Sequence, residues 1–158
     1  MRSSIMASVM VLAAGAALAS DTPVKDVDVE FDLTAVENAE AAQFWADLEK
    51  DLETAIITLV ADRLAETGSE ISIDIDEFSM SNSFEAALGS DSVLAGGVAI
   101  RNEADSTKNG FFDFKVTVAE AGRLENDGTR VSLLSVPVDE AYTALVNAYA
   151  AGVVERMR

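Results

Sequence analysis

The sequence predicts an α+β protein: an antiparallel β-sheet of four to five strands in a meander, with a long N-terminal helix and a C-terminal helix packed on one face. Three observations lead there. Several segments alternate apolar and charged residues with period two, as half-buried strands do. Two longer segments repeat apolar residues at spacings of three and four, as amphipathic helices do. Turn residues, Asn109-Gly110 and Asn126-Asp127-Gly128, separate consecutive strand segments, which suits hairpins.

The first twenty residues, "MRSSIMASVMVLAAGAALAS", stand apart from this pattern. They carry one charge at Arg2, an apolar run from Ile5 to Leu18 and a small-x-small ending at Ala17-Leu18-Ala19. That layout predicts a cleavable signal peptide over residues 1–19 and a single α+β domain over residues 20–158. The competing reading, a membrane anchor, needs ~20 apolar residues to cross a bilayer, and this run is shorter. The absence of cysteine and of any Asn-x-Ser/Thr sequon suits a bacterial periplasm, with release outside the cell as the alternative. No cysteine at the cleavage point means no lipid attachment there.

In "VKDVDVEFDL", Val27, Val29, Phe31 and Leu33 alternate with Asp28, Glu30 and Asp32, predicting the first strand. Thr34-Ala-Val-Glu37 has the capping-box pattern of a helix start. A long helix is expected from there to about Ala65, with Leu48, Leu52, Ile56, Leu59 and Arg63 in its stripe, Leu64 widening it, and Gly68 as a left-handed cap.

The segment "SEISIDIDEFSMSNSFE", Ser69 to Glu85, holds the second strand, with Ile71, Ile73 and Ile75 facing in. "DSVLAGGVAIRNEA" gives the third, with Leu94, Gly96, Val98 and Ile100 on one face. The glycine pair predicts either close approach of a helix or a bulge. "FFDFKVTVAE" gives the fourth, with Phe112, Phe114, Val116 and Val118 inward, and "TRVSLLSV" a fifth. Pro137 ends that run. Asp139-Glu140 opens the last helix, whose stripe is Tyr142, Leu145, Val146, Tyr149 and Val153. This order of elements resembles, as a fold, small envelope-assembly domains of exported bacterial proteins.

Charge restricts function. Eleven basic side chains against 28 acidic give a net charge of −17. Nucleic-acid binding depends on Lys and Arg displacing counterions from phosphates, so nucleic acid is not an expected partner. Insertion into a membrane after signal cleavage is not expected either, because no later stretch is apolar enough.

With no histidine and no cysteine, Ser-His-Asp and thiol nucleophile arrangements cannot be built. Four lysines, Lys25, Lys50, Lys108 and Lys115, offer no evident Ser-Lys dyad. A non-enzymatic protein is expected, with no catalytic residues and no cofactor.

Metal chemistry is the harder question. Read as a calcium loop from Asp74, the second-strand segment places Asp74, Asp76, Asn82 and Glu85 at ligand positions. Phe78 stands where a ligand belongs, however, and Ser79 where glycine makes the sharp turn. No loop-type metal site is expected. The alternative is a calcium- or small-ligand-binding face on which Asp74 and Asp76 project from one side, joined by Asp28 and Glu30. The competing explanation is a solvated sheet face salted by Lys115 or Arg101.

Two aromatics are candidates for partner contact. Trp45 on the long helix could anchor a partner or fill the core. Phe111 shares the parity of Asp113 and Lys115, so it should project outward near a hairpin tip. The expected function is an exported periplasmic protein that binds an unidentified protein partner, as an envelope accessory or assembly factor.

Overall fold

The computed structural model describes residues 22–31, 46–79, 93–117, 120–121 and 138–157. Four strands form one sheet: β1 Val24–Phe31, β2 Ser69–Ser79, β3 Val93–Asn102 and β4 Gly110–Thr117, in the order β1-β2-β3-β4. Helix α1, Leu48–Leu59, lies between β1 and β2 in the chain; helix α2, Val138–Arg156, ends it. The α+β class is correct.

The sheet is mixed rather than antiparallel. β1 runs parallel to β2, while β2–β3 and β3–β4 are antiparallel. The cause is the connection. The segment carrying α1 crosses over between β1 and β2, and a crossover returns the chain in the same direction, whereas a hairpin reverses it. Only β2 to β4 form the predicted meander.

One face of the sheet is apolar, as its alternation requires. Val27 and Val29 of β1, Ile71, Ile73 and Ile75 of β2, Leu94 and Val98 of β3 and Val116 of β4 are buried. Leu48, Leu52 and Ile56 of α1 and Leu145, Tyr149 and Val153 of α2 cover them. Burying an isoleucine or leucine contributes about 1.5–3 kcal/mol, so this layer dominates the surface ion pairs in stabilising the fold.

Helix α1 stops earlier than its stripe suggests. After Leu59 the chain narrows into a 3₁₀ turn, Ala61–Arg63, and Leu64 is already extended. Leu64 bridges Val24, and the Ala65 amide donates to the Val24 carbonyl at 2.9 Å. Pairing with β1 therefore overrides helix periodicity, and Leu59 and Leu64 are exposed rather than in the stripe. Gly68 caps no helix; a Cβ there would collide with the Pro23 backbone. The Thr34–Glu37 capping box, Leu33, Trp45 and the expected fifth strand at residues 129–136 lie outside the described residues.

Between β3 and β4 the connection is longer than a tight turn at Asn109-Gly110. A 3₁₀ turn, Ser106–Lys108, spans the loop, and Asn109 is extended at φ −71°, ψ 138°. Its side-chain oxygen instead accepts the Asn102 amide at 2.6 Å. Buried Asn102 in turn accepts the Ala104 and Asp105 amides through Oδ1 and donates to Ser69 Oγ at 3.1 Å. At the end of β4, Thr117 and Glu120 exchange hydrogen bonds as a capping box, with Glu120 Oε2 accepting the Thr117 amide at 2.9 Å; Val118 lies outside the described residues.

The glycine pair marks a bulge. β2–β3 pairing shifts register between Asp74 and Glu77, so Ile75 and Asp76 together stand opposite Gly96. A Cβ on Gly96 would strike the Asp74 carbonyl and come within 3.0 Å of the Ile75 Cα. Backbone cannot yield as a flexible side chain does. Gly96→Ala is therefore expected to destabilise the protein by about 1–3 kcal/mol, read as a lower denaturant midpoint, whereas Gly110→Ala, with open space around its Cβ, should leave the midpoint nearly unchanged.

Candidate functional site: the open face of the sheet

Among the described residues, α1 and α2 pack on one side of the sheet, and charged side chains on the other side are exposed. Strand register arranges that open face in transverse rows, about 4.8 Å between neighbouring strands. One row runs Asp26, Glu70, Arg101; the next Asp28, Ser72, Ala99, Phe111; the next Glu30, Asp74, Gly97, Asp113. Ala95 and Lys115 pair beyond them.

The face is divided in character. Its β1–β2 half is acidic. Its middle, Ala95, Gly97 and Ala99, has little side chain. On β4, Phe111 is 69% exposed, as its parity predicts. Its ring leans over Gly97, coming within 3.2 Å of where a Cβ would be. Gly97 thus has a purpose different from that of Gly96: its missing side chain makes room for the edge of the ring. The ring thereby stands between Asp74 and Asp113, which flank Gly97 on either strand.

Two of the face's cations are engaged. Lys25 Nζ donates to Glu70 Oε1 at 2.7 Å, and that hydrogen bond holds the Glu70 carboxyl below, and the Lys25 ammonium above, their ordinary ranges. Arg101 pairs with Glu103 at 3.3 Å. Lys115 stands on the same strand as Asp113, one row beyond it and two rows beyond Phe111.

The four carboxylates considered for a cation are not all brought together. Glu30 sits directly beside Asp74, and Asp28 one row away beside Ser72. Asp76 is displaced from this set by the bulge. The register shift between Asp74 and Glu77 puts Asp76 opposite Gly96, together with Ile75, rather than in the row that continues from Asp74. Among the described residues no group of three or more carboxylates is placed to hold a metal ion.

Behind the bulge lies an aromatic cluster that the sequence does not reveal. Tyr149 packs on Phe114 in a tilted pair, 5.0 Å between centroids and 47° between ring planes, and its hydroxyl donates to the Gly96 carbonyl at 3.5 Å. The Arg156 guanidinium lies 4.1 Å from the Phe114 ring centre and donates to the Gly152 carbonyl at 3.2 Å. Tyr142 donates to Asp51 Oδ2 at 2.9 Å, tying α2 to α1. A groove of about 630 Å³ opens between the helices beside that bond, floored by Ala55, Ala148 and Ala151. No described helix is long and apolar enough to cross a membrane.

No protein-family model and no curated protein matches the chain. Solved structures to which the chain is similar include the following two. The PelC dodecamer from Paraburkholderia phytofirmans shares 10% identity, with a TM-score of 0.43 over 79% of this chain and 80% of that one. A Xanthomonas campestris protein described as DUF330 shares 11%, with a TM-score of 0.46 over 85% of this chain and 80% of that one.

The tyrosines make the fold sensitive to alkali. Burial, then the Asp51 hydrogen bond, holds the Tyr142 proton well above the usual range; burial, with Asp76 adding, does so for Tyr149. An unfolded tyrosine ionises near pH 10.0. Above that pH the folded state binds more protons than the unfolded, so stability is complete below pH 10 and falls as pH rises further. Tyr149→Phe should make that fall shallower by about 1.4 kcal/mol per pH unit, measured by denaturation across an alkaline pH series.

Proposed function

We propose that this protein is exported to the bacterial periplasm and acts there without catalysis, by binding a protein partner through its open sheet face, as an envelope accessory factor. One observation carries the reading: Phe111, a large aromatic, is held outward on a rigid sheet. Rigid elements position contact residues more closely than loops do, and aromatics lead among residues that anchor interfaces. The small side chains of β3 around it offer a shallow floor against which a partner can approach. The secretory pattern of residues 1–19 and the lack of cysteine support the location.

The test is photo-crosslinking in the producing bacterium, with p-benzoylphenylalanine at Phe111 on the sheet side or at exposed Asn147 on the helix side. The expected outcome is a discrete protein adduct from position 111 and none from 147, on a protein whose N-terminus is Ser20. Adducts from 147 alone, or from neither position, would overturn the reading of the sheet face; an intact N-terminal segment would overturn export by cleavage.

A further inference from the structure

We infer that the open face recognises a cationic, arginine-bearing segment of its partner, with a guanidinium stacked on Phe111 between the carboxylates of Asp74 and Asp113. The inference rests on the sheet face being the binding surface and names the chemistry that surface selects.

The geometry is specific to this position. The Phe111 ring meets Gly97 along its Cε2–Cζ edge, and the residue is 69% exposed, leaving ring surface to solvent. Asp74 and Asp113 pair with Gly97 from the two neighbouring strands, so their attachment points are about 10 Å apart, two strand spacings. A planar cation against the ring stands between them, within reach of both carboxylates. Asp28 and Glu30 continue the negative potential toward β1. An aromatic face attracts a cation within about 6 Å of its centre, and carboxylates at the rim add Coulombic attraction.

Arginine suits this better than lysine. A guanidinium is planar, stacks on rings and sheds its hydration more easily than an ammonium does. The same pairing occurs inside this protein, where Arg156 lies over Phe114. The net charge of −17 steers such a segment toward the protein; Lys25 and Arg101 are engaged by Glu70 and Glu103, and Lys115, one row beyond Asp113, is the cation of this face with which the segment competes.

Fluorescence anisotropy of labelled peptides with the purified protein at low ionic strength tests this. The probes are Arg-Gly and Lys-Gly repeats of equal length and charge. The arginine peptide should bind about twofold to fivefold more tightly, the range expected of an exposed cation–π contact. Phe111→Ala should abolish that preference, and Asp74→Asn with Asp113→Asn should weaken both peptides. Asp139→Asn with Glu140→Gln, which removes two exposed charges at the start of α2, should change neither.

Equal affinity for the two peptides would overturn the inference. So would an unaltered preference in Phe111→Ala, or equal weakening by the α2 variant, which marks diffuse attraction to an acidic protein. The arginine peptide should also compete with crosslinking at position 111. Crosslinking that persists in excess peptide sinks the arginine chemistry and leaves the sheet-face reading standing; no crosslinking at all sinks the latter.

Discussion

Three isoleucines in the second strand fix the rest of the molecule. Ile71 lies between Val27 of β1 and Ile100 of β3, and Ile73 between Val29 and Val98. Ile75 closes the row beside Phe31. Each has at most 3% of its surface exposed. Because side chains alternate strictly along a strand, a slip of one residue would exchange these three for Ser72, Asp74 and Asp76. Burying unpaired carboxylates in that layer is far too costly to compete. One register is therefore imposed on both neighbouring strands at once, and with it the composition of the opposite face.

That opposite face is a by-product with its own chemistry. Once the isoleucines are committed inward, Asp28, Glu30 and Asp74 have nowhere to go but outward, and they meet because β1 is parallel to β2 in this register. The bulge at Ile75–Asp76 then breaks the regularity. It takes Asp76 out of the acidic row and brings its charge near Tyr149. The two adjacent glycines serve opposite sides: Gly96 makes room for bulged backbone and Gly97 for an aromatic ring.

The strand faces were legible in the sequence because period-two alternation is a local signal; the described inward residues of β3 and β4 follow it, as do those of β1 from Val27 on, while buried Val24 falls out of step at the register shift before Asp26. Phe111 was legible for the same reason. Features set by distant contacts were not. Parallel pairing of β1 with β2 joins residues 45 apart, as in Lys25 and Glu70, and alternation carries no information about strand direction. The end of α1 depends on Val24 claiming Leu64 and Ala65, although the apolar spacing continues past Leu59. Gly96 and Gly97 signalled a special backbone but not which glycine served which neighbour. Asn109-Gly110 looked like a hairpin turn because that pair favours one; here the Asn102 amide takes the Asn109 side chain and the loop winds differently.

The outer margin of β1 also bears on how the protein behaves in company. At one end its Val24 carbonyl is taken by Ala65, and at the other Glu49 Oε1 accepts the Phe31 amide at 2.8 Å. An incoming extended chain, from a sister molecule or a misfolded neighbour, would have to displace both before it could lengthen the sheet there. A flat hydrogen-bonding margin invites such additions. With this one fastened at each end, self-association by strand addition is discouraged along β1.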